Sequence, residues 1–205
     1  MVLHLTNVAR IIMFEILWRQ MADLRRNFEH DLSIARRFEH GEEIMMEKIK
    51  KCLNDYTKLL DVLNEKSGVT KFWIFLSLSI AIPRLVDIVF FSLSNGPEVE
   101  VTLAYKLILT ETLMNTVVLL APAALAEMIT NEIDVLRLFV IKQLLVCKGE
   151  TNRDEILNAL VFMEQHPFKY TVWRLFTVDG NLILSVVNLF TTYILAMVQF
   201  AHIFD

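Results

Sequence analysis

Cysteine is almost missing from this chain. Only Cys52 and Cys147 occur, and neither stands at CxxC or metal-ligand spacing, so no disulfide framework and no metal centre is indicated. Glycine is also scarce, at 5 of 205 residues, and no P-loop or dinucleotide-binding fingerprint is present. An excess of positive charge is lacking: 20 Lys and Arg face 24 Asp and Glu, a net charge of -4, which argues against a nucleic-acid partner. No His/Glu metal box and no Ser-His-Asp arrangement occurs, so the expectation is a protein that is not an enzyme and uses no cofactor. There is no N-x-S/T sequon. There is no clean signal peptide either: Met1 to Met21 is apolar, but Arg10, Glu15 and Arg19 interrupt it and no small-residue cleavage site follows.

What the chain does have is apolar residues in blocks. It is 55% hydrophobic with 14 Phe, and its mean hydropathy is +0.46. A bilayer helix needs about 20 largely apolar residues. Three windows meet that length: Phe72 to Ser92, Val101 to Met128 and Asn181 to Ile203. As core helices of a soluble domain they would leave too little polar surface to cover them. The expected fold is therefore an all-α membrane protein with three transmembrane helices and cytoplasmic helical extensions.

Lys and Arg give a direction. Residues 1–71 carry twelve of the twenty, and residues 129–178 carry six. The connector Asn95 to Glu100 and the tail after Gln199 carry none. The positive-inside rule then places 1–71 and 129–178 in the cytoplasm, with the connector and the C-terminus outside. The expected organisation is a cytoplasmic helical extension over 1–71 and a span over 72–92. An extracellular loop over 93–100 and a span over 101–128 follow. Cytoplasmic helices over 129–178, a last span over 179–203 and an extracellular end at 204–205 complete it.

Residues 8–70 read as helix. Leu17, Met21, Leu24, Phe28 and Leu32 recur at spacings of three and four, as do Met45, Ile49, Leu53, Tyr56, Leu60 and Leu63. Gly41 marks a joint between the runs. The second span runs on into Asn131 to Leu145. After the turn at 148–152, Thr151 and Asp154 suggest a capped helix ending near Gln165, before Pro167. The sequence FEH occurs at 28–30 and again at 38–40, a spacing that makes no metal-ligand pair on a helix.

The last window is the most informative. Asn181, Ser185, Asn188, Thr192, Ala196 and Gln199 follow a 4-3-4-4-3 spacing, which is one face of a helix. Amides in hydrocarbon are costly unless they meet a partner or water. The stripe therefore faces either a neighbouring helix, as a bundle seam, or a wet path built from several copies. Small Ala196 and larger Gln199 near the outer end suit a constriction. In the earlier windows, Arg84 and Asp87 stand i,i+3 and can pair. Tyr105, Glu111 and Asn115 lie in the outer half of the second window. At about 1.5 Å per residue, Arg84 and Glu111 reach similar depth, so Arg84 can meet Asp87 and Glu111. That group is either a structural ion pair or the floor of an outward-facing ligand pocket.

From Thr192 to Phe200 the chain reads TYILAMVQF. This resembles the TYhhhhhQF hallmark of insect gustatory receptors, where h is hydrophobic, carried by Thr192, Tyr193, Gln199 and Phe200. The preceding FTVDGNLIL, Phe176 to Leu184, resembles the family's lead-in to that motif. The resemblance implies the family's C-terminal half only, the last three spans of a seven-helix insect chemoreceptor, and hence a truncated chain. It implies a plasma-membrane, multi-pass taste-receptor subunit: a ligand-gated, non-selective cation channel opened by a small-molecule tastant. Such a channel forms a homo- or heterotetramer with other gustatory receptor subunits, with the last helix lining the pore. On matching positions Gln199 stands at the outer gate, Ala196 one turn below it, and Tyr193 packs on neighbouring helices. Arg84, Asp87, Tyr105, Glu111 and Asn115 become candidates for ligand binding or coupling. Two other functions fit the same features: a non-conducting subunit that modifies its partners, and an unrelated three-span scaffold or transporter fragment.

Overall fold

The structure, a computed structural model, describes residues 2–35, 41–65, 67–94, 103–147 and 149–201. Six helices and one hairpin account for nearly all of them. They are α1 (Val2–Ala35), α2 (Gly41–Glu65), α3 (Ser67–Ser94), α4 (Leu103–Val146), α5 (Glu150–Gln165), the two-stranded β1 (Thr171–Val172) and β2 (Phe176–Thr177), and α6 (Gly180–Ala201). They divide into two compact units. One comprises Met1–Ile11, Val69–Ala124 and Tyr170–Asp205; the other comprises Ile12–Gly68 and Leu125–Lys169.

The second unit is the charged one, and its core follows the sequence periodicity. Leu17, Met21, Phe28 and Leu32 of α1 are buried, as are Met45, Ile49, Tyr56 and Leu63 of α2. They meet Ile129, Ile133, Leu136 and Val140 of α4 and Ile156, Ala159 and Met163 of α5, all buried. Burying one such side chain contributes about 1.5–3 kcal/mol, so the apolar stripes dominate the assembly of this bundle. Ion pairs at its edge set the register: Arg25 with Glu132, Lys48 with Asp31 at 3.1 Å and Lys50 with Glu155 at 2.9 Å. The helix over 150–165 ends as its sequence suggests, with the His166 N–H donating to the Phe162 carbonyl before Pro167. Its start differs. Gly149 is the N-cap, without a side-chain cap bond, and Thr151 lies inside the first turn. The first FEH ends in an exposed His30, and the second lies outside the described residues.

The first unit holds nearly all of α3, the N-terminal half of α4 and α6. Two helices are long and apolar enough to cross a membrane: Gly68–Ile88, 21 residues, and Leu107–Val146, 40 residues. Only 22% and 33% of their most apolar windows are buried within the chain, which is too little for core helices of a soluble fold. Val69, Leu107, Met114 and Val117 are among the large apolar side chains left exposed. The protein is thus a membrane-associated helical protein whose exposed apolar surface suits contact with lipid.

The expectation of three spans in a C-terminal fragment is corrected here. Among the described residues, the apolar part of α6 is Gly180–Ala196, 17 residues. A bilayer span needs about 20 largely apolar residues, so among the described residues α6 is not counted as a candidate span. The apolar run in α4 instead continues well past Met128. The fold is mostly α-helical with two candidate spans. Proline does not interrupt either one: α3 continues through Pro83 and α4 through Pro122.

The break before α6 contains a hairpin that the sequence pattern does not suggest. Thr171 pairs with Thr177 and Val172 with Phe176. The Leu175 N–H donates to the Val172 carbonyl at 2.8 Å, and both central residues of the turn, Trp173 and Arg174, have positive φ (45° and 61°). That is the sign pattern of a type I′ turn, which normally takes Asn-Gly and costs other residues about 1 kcal/mol or more each. Asp179 then caps α6. Its Oδ1 accepts the N–H of Asn181 at 3.0 Å and of Leu182 at 3.3 Å, while Oδ2 accepts the Thr177 hydroxyl at 2.7 Å.

The Tyr56 side chain, 0% exposed, donates its hydroxyl to the His166 carbonyl at 2.7 Å. Burial pushes that hydroxyl's pKa up to about 12, although Arg137 pulls the other way. Tyr56→Phe is expected to lower the unfolding free energy by about 1 kcal/mol, measured by thermal unfolding of the solubilised chain. A folded-state pKa above the unfolded one means that the hydroxyl's contribution is complete below about pH 10. It is lost as the pH rises toward 12, and the Phe variant lacks that part of the alkaline slope.

Candidate functional site

The polar face of α6 is open. Asn181, Ser185, Asn188, Thr192 and Gln199 are exposed, and Ala196 is half-buried. The side of α6 that packs within the chain is a different one. Val186, Leu189, Phe190 and Tyr193 face Ile82, Leu85 and Val86 of α3 across a narrow apolar crevice. At 100° per residue, the polar stripe lies roughly a third of a turn away from that contact. Further round lie Leu184, Val187 and Leu195, exposed and apolar. α6 therefore has three sides: one against α3, one apolar and one polar.

The reading of the stripe as a seam within this chain's own bundle thus finds no partner helix among the described residues. The hydroxyl of Thr192 satisfies itself on the Asn188 carbonyl at 2.9 Å, and that of Thr191 on the Val187 carbonyl at 2.9 Å. The side-chain amide of Asn188 makes no hydrogen bond among the described residues. The stripe's unmet demand is therefore concentrated in amides. Tyr193 lines the α3 crevice, yet remains 47% exposed. The side chain of Phe200 lies outside the described residues.

A second polar feature lies between α3 and α4. Ser77, Ile80, Ala81 and Arg84 face Thr112, Asn115, Thr116 and Leu119 across a cleft. About 50 Å³ of it admits the centre of a water molecule, room for a few waters. Arg84 reaches Glu111 at 4.0 Å, and both side chains are about half-exposed. Asp87, its i,i+3 neighbour, is exposed and forms no ion pair among the described residues. Arg84 therefore bridges two helices instead of pairing along its own. Asn115 lines the cleft; the side chain of Tyr105 lies outside the described residues.

Sequence reasoning missed three members of this cleft: Ser77, Thr112 and Thr116. Ser77 accepts from the buried Arg10 at 3.2 Å, which ties α1 to α3. The Thr116 hydroxyl is satisfied by the Thr112 carbonyl at 2.8 Å. The Thr112 Oγ1 itself is buried without a hydrogen-bond partner. The available signal was the spacing Thr112, Asn115, Thr116, Leu119, which is one helix face with the polar side turned toward Arg84. Among the described residues no group of His, Cys, Asp or Glu could hold a metal ion.

The sequence family described as 7tm Chemosensory receptor matches residues 1–203, and the chain belongs to that family. The match begins at the first residue. This corrects the expectation of the family's C-terminal half only, which rested on reading three spans as the last three of seven. No curated protein matches the sequence.

Thr112→Val tests whether the cleft is wet. The substitution removes a buried hydroxyl that has no partner among the described residues, so a dry cleft predicts unchanged stability or a gain of up to about 1 kcal/mol. A loss of stability in thermal unfolding would instead place an ordered water on Thr112 Oγ1.

Proposed function

We propose that this member of the 7tm chemosensory receptor family is a subunit of a ligand-gated, non-selective cation channel for a small-molecule tastant. In this reading it works as a homo- or heterotetramer in the plasma membrane and carries no catalytic step. The observation that carries the reading is the open polar face of α6. Its amides meet no partner helix among the described residues, and amides left against hydrocarbon are costly. Such a helix is better placed around water than against hydrocarbon. Copies of it arranged about an axis would present Asn181, Ser185, Asn188, Thr192 and Gln199 to a shared path, with Ala196 and Gln199 nearest the outer gate.

The charge distribution supports a direction for this arrangement. Twelve of the twenty Lys and Arg lie in residues 1–71 and six in 129–178, which favours a cytoplasmic site for those segments and an extracellular C-terminus. The cleft of Arg84, Glu111, Thr112 and Asn115 is the favoured place for ligand binding or for coupling to the gate. It joins polar groups from two helices through an ion pair that a ligand can rearrange.

The test combines current and accessibility in cells expressing the chain, alone or with other family subunits. A tastant panel is expected to evoke a cation current that Asn188→Lys cuts several-fold and Asn188→Asp preserves or raises, because a ring of charge acts directly on permeating cations. Asn188→Cys is expected to react quickly with a charged thiol reagent and Val187→Cys slowly. Native Cys52 contributes little background, since burial pushes its thiol up to about 12. Currents identical in the Lys and Asp variants, or equal labelling at 187 and 188, would sink the pore assignment. Assembly with partners but no current would favour the modifying-subunit role instead.

A further inference from the structure

The hairpin before α6 has a fixed base and an exposed tip. At its base Tyr170 and Val172 are buried, Val178 donates its N–H to the Tyr170 carbonyl at 2.8 Å, and the Lys71 ammonium lies 5.4 Å from the centre of the Tyr170 ring. At its tip Trp173 is 50% and Leu175 65% exposed, and Arg174 is exposed between them. The Trp173 ring lies 5.4 Å from Phe75 and 6.1 Å from Phe72, both in α3. Lys71, Phe72 and Phe75 fall in the first two turns of the candidate span Gly68–Ile88, the level at which that helix leaves water for hydrocarbon.

Three features of this cluster need an explanation that folding alone does not supply. The turn keeps Trp173 and Arg174 at positive φ, where Asn-Gly would be free of strain. The exposed surface is apolar and aromatic at the end of a span, where Trp is favoured because its ring has an apolar body and a polar edge. Arg174 has no ion pair among the described residues. Asp179, the nearest carboxylate in sequence, is committed to the Thr177 hydroxyl and to capping α6.

We propose that the hairpin tip is a docking site for an anionic phospholipid, with Trp173 and Leu175 seated at the acyl-chain boundary and Arg174 and Lys71 holding the headgroup phosphate. The strained turn is retained because it turns both side chains toward the same interface. A soluble phosphate would satisfy the two cations but would leave Trp173 and Leu175 in water, so the bilayer lipid is the occupant that fits both. The inference rests on α3 crossing the membrane and not on a pore at α6, so failure of the channel reading leaves it standing.

The test uses the full chain reconstituted in phosphatidylcholine vesicles with and without phosphatidylserine. Trp18→Phe and Trp73→Phe leave Trp173 as the single tryptophan of the three. Its fluorescence is expected to be quenched most by lipids brominated near the headgroup end of the acyl chain. Spin-labelled phosphatidylserine is expected to associate in preference to phosphatidylcholine. Arg174→Gly and Lys71→Gln should each lower that preference about fivefold. Arg174→Gly should unfold no more readily than the parent, because glycine relaxes the positive φ, so a lost preference in that variant is not a folding failure. Quenching of Trp173 by aqueous iodide alone, or an unchanged lipid preference in the double variant, would overturn the proposal. Equal competition by soluble glycerophosphoserine would do the same.

Discussion

The constraint on which the rest depends is the cost of an unpaired amide in hydrocarbon. α6 carries Asn181, Asn188 and Gln199 on one side, and no helix of its own chain covers them among the described residues. Its opposite demands are met separately: Phe190 and Val186 against α3, and Leu184, Val187 and Leu195 on an open apolar side. A lone copy of this helix in lipid would bury those amides without partners, at several kcal/mol each. In the proposed channel, assembly of copies around water would remove that cost.

The two units are each held together by chemically different means. In the unit that contains α6, the links are few and specific: the Asp179 cap, the α3 crevice, and the buried Arg10 on Ser77. The other unit is a bundle with a conventional apolar core, edged by ion pairs such as Lys48 with Asp31 and Lys50 with Glu155. Surface pairs of this kind contribute little to stability, so their value lies in fixing which faces meet.

Much of this was legible in the amino-acid pattern, for reasons that follow from period. Leu17 to Leu32 and Met45 to Leu63 repeat at helical spacing, and most of those residues are buried. The end of α5 near Gln165 and the polar stripe of α6 are both local signals. What was not legible depends on partners far apart in sequence. Equal depth in the two apolar windows allowed Arg84 to meet Glu111, as it does, but i,i+3 spacing also allowed Asp87, which forms no ion pair among the described residues. The hairpin of Thr171 to Thr177 escapes because its turn is Trp-Arg, with no glycine or asparagine to announce positive φ. The third span is corrected because, among the described residues, the apolar part of α6 is only Gly180–Ala196. The family likeness was placed as the C-terminal half because the recognisable segments, FTVDGNLIL and TYILAMVQF, both lie near the C-terminal end, whereas the match covers residues 1–203.

Particle imaging of the purified chain in lipid nanodiscs tests the central claim most directly. The account predicts a ring of copies with four-fold symmetry, in which Asn188 and Gln199 of α6 point toward a central axis and Leu184 and Val187 point away from it. A single copy surrounded by lipid, or an assembly in which the Asn188 face packs dry against another helix, would contradict it.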